Sequence, residues 1–199
     1  MPARFKKIFI VFLLVVLPLS GVWQTGWGAW IHIKAFIAQT LLETAWTDTL
    51  NGQKEVKPWP WADTWPVSRL TVPRLGISRI VLAGASGESL AFGPGLLFNT
   101  AGSGQPGNTV IAGHRDTHFR FLRYLQKNDL LLLQTANNIT QSYRVVETVI
   151  TSKTQTGYIE ETDEDVLTLI TCYPFDAVIP GGPLRYIVIA KRLQPPTTI

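Results

Sequence analysis

Cysteine is nearly missing from this chain: Cys172 is the one thiol in 199 residues. A single cysteine closes no intrachain disulfide, so the fold must be held by its core. Charged residues are also sparse, at 16% of the sequence, and the net charge is only +4. Arg4, Lys6 and Lys7 supply three of those positive charges; taking them from the 18 basic residues leaves 15 against 14 acidic ones. That balance offers no basic patch, so nucleic acid is not an expected partner. No internal repeat or low-complexity tract is present. A zinc site of the helical protease kind is not expected either. His114 and His118 have its four-residue spacing, but Arg115 stands where that motif carries glutamate, and Gly113 reads as the end of a strand.

The chain is otherwise largely apolar. Hydrophobic residues make up 46% of it, enough for one domain with a real core. Near the N-terminus the run Ile8 to Leu19 is apolar throughout, with Pro18 in it. A helix from Ile8 to Trp30 would span about 34 Å, enough to cross a bilayer. Arg4, Lys6 and Lys7 precede it and put the N-terminus in the cytoplasm, while Trp23, Trp27 and Trp30 fit an interfacial belt on the far side. The rival reading is a cleaved signal peptide. Gly26-Trp27-Gly28 makes a poor cleavage site, which favours an uncleaved anchor, and both readings export the C-terminal domain. Residues 1–30 are therefore expected to be a cytoplasmic tip and transmembrane anchor. Residues 31–66 would hold the rest of an amphipathic helix running from Ala29 to Trp46, then a linker rich in Trp and Pro. Residues 67–199 would form the folded domain, on the outer face of the cytoplasmic (inner) membrane.

From Ser68 onward the pattern is short strands and turns. Leu70 to Val72, Ile80 to Leu82, Thr109 to His114, Leu130 to Gln134, Ser142 to Val149, Val166 to Cys172 and Arg185 to Lys191 are the expected strands. Gly84 to Gly107 is rich in Gly, Ser and Pro and reads mostly as loop. Asp116-Thr117 is expected to cap a short helix carrying Phe119, Phe121, Leu122 and Leu125. The fold class is mainly β, a closed barrel or a sandwich.

Three of these strands carry a cysteine, a histidine or an arginine at one end. Val166, Thr168, Ile170 and Cys172 share a strand face, and Pro174 ends the ladder just beyond the thiol. Val110, Ala112 and His114 share another, as do Arg185, Ile187 and Ile189. A lone cysteine is most often a small buried hydrophobe. A thiol, an imidazole and a guanidinium, each at the rim of an apolar strand face, point instead to a site.

Thr168-Leu169-Ile170-Thr171-Cys172 matches the T-L-x-T-C nucleophile motif of the sortases, which the chain resembles from about Pro66 to Arg192. The Gly113-His114 step and Arg185 match that family's histidine and arginine, in the same order. The fuller stretches Ala112 to Phe119 and Thr171 to Phe175 look like the class GN sortases of proteobacteria. The resemblance implies a closed eight-stranded β-barrel with short helices, preceded by a membrane helix. It implies a cysteine transpeptidase that needs no dissociable cofactor. Cys172 would attack a peptide carbonyl in the C-terminal sorting signal of a secreted protein, often of LPxTG type, and hold the acyl fragment as a thioester. His114 would protonate the leaving amine and Arg185 would bind the oxyanion, and an acceptor amine would then resolve the thioester.

Thr171 and Asp176 are further candidates for substrate binding. The side chain of Thr171 should point to the opposite strand face, and Asp176 also reads as a solvated loop acid. Arg115 is the main rival to Arg185. Two alternatives stay open: a thiol peptidase that passes its acyl group to water, and a membrane-tethered β-domain that binds a partner protein and keeps an inert cysteine.

Overall fold

The computed structural model describes residues 3–98, 100–179 and 181–193. The outermost expected domain limits, residues 1 and 199, lie outside the described residues. The chain separates into two compact units, Met1–Thr40 and Leu41–Ile199.

The first unit is helical. Helix α1 runs from Ala3 to Leu50 without a break, so the anchor segment and the amphipathic segment read from the sequence are one helix. Gly26 and Gly28 each weaken a helix by about 1 kcal/mol, which falls short of stopping one. Phe9, Leu14, Val22 and Trp23 are all more than 60% exposed, an arrangement that water would punish and lipid would not. Among the described residues, α1 is the one helix long and apolar enough to cross a membrane.

The second unit takes in the last turns of α1 and a closed barrel. Eight strands make the barrel: β1 Pro66–Val72, β2 Ile77–Ala83, β3 Gly95–Leu96, β4 Asn108–Ala112, β5 Leu130–Thr135, β6 Thr140–Ser152, β7 Val166–Tyr173 and β8 Leu184–Arg192. They close in the order β1-β2-β3-β4-β7-β8-β6-β5. Pairing is antiparallel except at β2–β3 and β4–β7, which are parallel. Short helix α2, Gly87–Phe92, sits between β2 and β3, and the Ser86 side chain accepts from the Ser89 amide at its start.

Seven of the strands coincide with those read from the sequence. The eighth, β3, lies in the stretch read as loop. It has two residues, and a Cβ at Gly95 would come within 2.1 Å of the Gly84 carbonyl oxygen. Only a bare backbone approaches β2 that closely, so the glycine that weakens the strand signal is what permits the strand.

Alternation fills the barrel. Leu70 and Val72, Leu131 and Leu133, Tyr143 and Val145, Leu167 and Leu169, and Val188 and Ala190 all join one buried cluster. Burial of each Leu or Val contributes roughly 1.5–3 kcal/mol. A smaller cluster lies outside the barrel wall, where Leu42 and Trp46 of α1 meet Ile80 and Leu82 of β2. The segment between β6 and β7 is held against β4 by the Asn108 side-chain amide, which donates to the Tyr158 and Glu160 carbonyls at 3.0 Å each. Thr168 in turn donates to Asn108 Oδ1 at 2.7 Å.

Candidate active site

The barrel's register sets the site. In the parallel seam Ala112 pairs with Ile170, and the Gly113 amide continues the ladder by donating to the Ile170 carbonyl at 3.1 Å. On the other side of β7, Cys172 pairs with Arg185. Because Leu167 and Leu169 face the core, Ile170 and Cys172 face outward, and Arg185 and Ile187 share that outer face. Neighbouring strands lie about 4.8 Å apart. His114 follows Gly113 directly, where the chain leaves β4 beside the C-terminal part of β7 that carries Cys172. The three residues come from adjacent strand ends, although His114 precedes the other two by more than fifty positions in the chain.

Each position has a local cause. Gly113 is buried, and a Cβ there would fall 2.7 Å from the ring of Phe119, a fully buried core residue. The chain can pass from β4 to His114 over that ring only as glycine. Strand β4 stops at Ala112, two residues before the expected end at His114, because the chain then turns over Phe119. The Phe119 amide donates to the His114 carbonyl at 3.0 Å and closes that turn. The helix expected after it is a single short 3-10 segment, Arg120–Tyr124, entered from Phe119 with no side-chain cap. Asp116 is not its cap: it lies 3.4 Å from the Arg115 guanidinium.

Cys172 is half-buried and its thiol is free. His114 is exposed. Arg185 is half-buried, and its Nη1 donates to the Gly182 and Leu184 carbonyls at 2.9 Å each. Thr171 is only 2% exposed and points away from Cys172; its hydroxyl donates to the Gly113 carbonyl at 2.7 Å. Its side chain thus fastens the Gly-His step to the nucleophile strand. Asp176 is exposed and ion-paired to Arg123 at 2.7 Å, which holds that guanidinium above its ordinary pKa. His118 lies four residues past His114 and contacts the Ala91 carbonyl of α2 at 3.3 Å. Burial pushes it below the usual histidine value, the Ala91 carbonyl opposes that, and the charges of Arg79 and His114 add to the fall. Among the described residues no group of three or more His, Cys, Asp or Glu side chains gathers closely enough to hold a metal ion.

The loop after Cys172 is pinned from several sides. Tyr173, Phe175 and Tyr186 form an aromatic cluster, with Phe175 and Tyr186 edge-on at 5.1 Å. Arg123 lies over the Phe175 ring, 5.1 Å from its centroid. Arg115, read from the sequence as a rival to Arg185, has a role that the sequence does not reveal. It is 3% exposed and donates to the carbonyls of Pro174 at 2.9 Å, Ala177 at 2.7 Å and Ile179 at 3.0 Å. A charged residue in a stretch read as a turn looks solvent-facing, and no local pattern marks its partners some sixty positions away.

Residues 70–193 match the family model described as the sortase domain. Sortase D of Bacillus subtilis (strain 168) is 33% identical over 126 residues, a match that covers 62% of this chain and 62% of that protein. The chain thus spans less than two thirds of that relative. Among solved structures, a sortase D5 transpeptidase from Clostridium perfringens superposes with a TM-score of 0.65 at 26% identity, over 79% of this chain and 99% of the other. Sortase C-1 from Actinomyces oris superposes with a TM-score of 0.58 at 27% identity, over 65% of this chain and 75% of that one. With the family match spanning most of the barrel, and the barrel repeating that of these relatives, the chain belongs to the sortase family.

Proposed function

We propose that the chain is a membrane-anchored cysteine transpeptidase of the class GN type found in proteobacteria. The subclass reading is supported by the stretches Ala112 to Phe119 and Thr171 to Phe175. The chemistry rests above all on one observation, the register that sets Cys172 opposite Arg185 while Gly113 continues the β4–β7 ladder.

In this mechanism the Cys172 thiolate sulfur attacks the scissile carbonyl carbon of a sorting signal near the C-terminus of a secreted protein. The carbonyl oxygen takes up the negative charge. Arg185 faces it with Nε and Nη2, since Nη1 is committed to Gly182 and Leu184. Collapse breaks the C–N bond, His114 gives its proton to the departing amine, and a thioester remains on Cys172. An acceptor amine then attacks the thioester, passes its proton to His114 and restores the thiolate. Asp176 and the backbone of Thr171 border the substrate. Helix α1 anchors the enzyme in the inner membrane, with Arg4, Lys6 and Lys7 on the cytoplasmic side and the barrel in the periplasm.

Trapping the intermediate tests this. The full chain in detergent is incubated with a peptide carrying an LPxTG-type signal, and with the C-terminal segment of a protein encoded beside it, with and without hydroxylamine. Intact-mass spectrometry should show an acyl adduct on Cys172 that hydroxylamine discharges as the hydroxamate. Cys172→Ala should form no adduct and give no product. Turnover by that variant would overturn the assignment, and release of the free acid alone in the presence of amine would favour the hydrolytic reading.

A further inference from the structure

We propose that Arg115 is a positioning residue that fixes the chain just after Cys172 to the chain just after His114. This rests on the proposed catalytic roles of those two residues. A guanidinium at 3% exposure is expensive to bury unless its donors are used. Arg115 uses them on main-chain oxygens: Nη1 reaches the Pro174 carbonyl, and Nη2 reaches the carbonyls of Ala177 and Ile179. Three carbonyls of one loop converge on one planar cation. The acidic group that pairs with it is Asp116 at 3.4 Å, its own chain neighbour.

The loop has to curl around Arg115 to meet it, and the curl turns side chains outward. Val178 is 97% exposed and Ile179 is 79% exposed. Past them the same loop supplies the Gly182 carbonyl that holds Arg185 Nη1. One residue thus adjoins His114 in sequence, gathers the loop that leaves Cys172, and stands upstream of the carbonyl that orients Arg185. Lysine cannot replace it, because a single ammonium lacks the fork that serves three carbonyls set apart along a loop.

The test uses the full chain in detergent with the LPxTG-type peptide and hydroxylamine as probes. Arg115→Gln and Arg115→Lys should both speed hydrogen exchange in residues 174–183 while leaving the barrel strands protected. Their kcat should fall by about 10- to 100-fold, the penalty for displacing a reacting group by about 1 Å. Arg115→Lys should recover part of the loss at most. Arg123→Ala, which frees the same loop at exposed Asp176 and at the Phe175 ring but leaves the three carbonyls on Arg115, should keep kcat within about threefold. A merely structural arginine would lower the melting temperature and leave kcat below the melt untouched, and that result would overturn the proposal. So would unchanged exchange in 174–183, or fast exchange there in the parent chain, which needs no variant at all. Should Cys172→Ala retain turnover, the catalytic reading fails on its own, since the exchange result stands apart from chemistry.

Discussion

Replacing Thr171 by valine tests whether the hydroxyl between the nucleophile strand and the Gly-His step matters. Valine keeps the shape and the β-branched strand preference and removes one oxygen. That oxygen donates to the Gly113 carbonyl at 2.7 Å, with Thr171 2% exposed and Gly113 also buried, so water has no route to replace it. The net hydrogen bond is worth about 1 kcal/mol, and a buried carbonyl losing this donor raises the penalty to about 1–3 kcal/mol. At roughly 2–4 °C per kcal/mol for a domain of this size, the melting temperature should fall by several degrees. Activity should fall further than stability accounts for, because Gly113 carries His114 and this hydroxyl helps fasten it to β7. The assay pairs a thermal melt of the detergent-solubilised chain with turnover of the sorting-signal peptide well below the melt. Thr171→Ser, which restores the hydroxyl, should recover most of both. A valine variant that melts and turns over like the parent would refute the reasoning, as would a serine variant as impaired as valine.

Gly113→Ala should cost a comparable amount: its new methyl would lie 2.7 Å from the buried Phe119 ring, and overpacking of this kind costs about 1–3 kcal/mol, read by thermal melt alongside turnover. Asp129 is held below the usual carboxylate range, chiefly by its hydrogen bonds from Arg74, against the opposing effect of burial. Its contribution is therefore present above the unfolded value of about pH 4 and is lost as pH falls through the depressed value. Asp129→Asn should melt earlier than the parent at pH 7, and the two melting temperatures should converge in acid; a gap independent of pH would count against the ion pair. Trp46 is 2% exposed between α1 and β2, so Trp46→Ala should destabilise the second unit by about 3–5 kcal/mol in a denaturant titration, and a loss under about 1 kcal/mol would mean the contact is not maintained.

Much of this architecture can be read from residue order. Strands with strict alternation, such as Leu131 and Leu133 or Leu167 and Leu169, announce themselves because one face is buried and the period is two. Strand β3 does not, since two residues hold no period and its Gly95 is chosen for backbone approach. The cap expected at Asp116-Thr117 did not form, and the helix after it is a 3-10 segment entered from Phe119. A capping preference is a local force worth about 1 kcal/mol, and the buried Phe119 ring together with the Arg115 contact to Asp116 outweighs it. The candidates Cys172, His114 and Arg185 rest on motif and strand-end position. That β4, β7 and β8 are neighbours was not legible, because the parallel β4–β7 seam follows only from closure of the whole barrel. The loop-gathering role of Arg115 and the partner of the Thr171 hydroxyl were invisible for the same cause: the groups they meet are distant in sequence.

The seam between β4 and β7 has a consequence in time. Its two halves are separated by 58 residues at the Gly113–Thr171 contact, and β7 gains its second neighbour only when β8, the strand that follows it in sequence, is available. A growing polypeptide that has already emerged past His114 still lacks the wall against which that histidine would be aligned. The setting of the thiol is therefore completed in one step, when β8 docks, rather than gradually along the way.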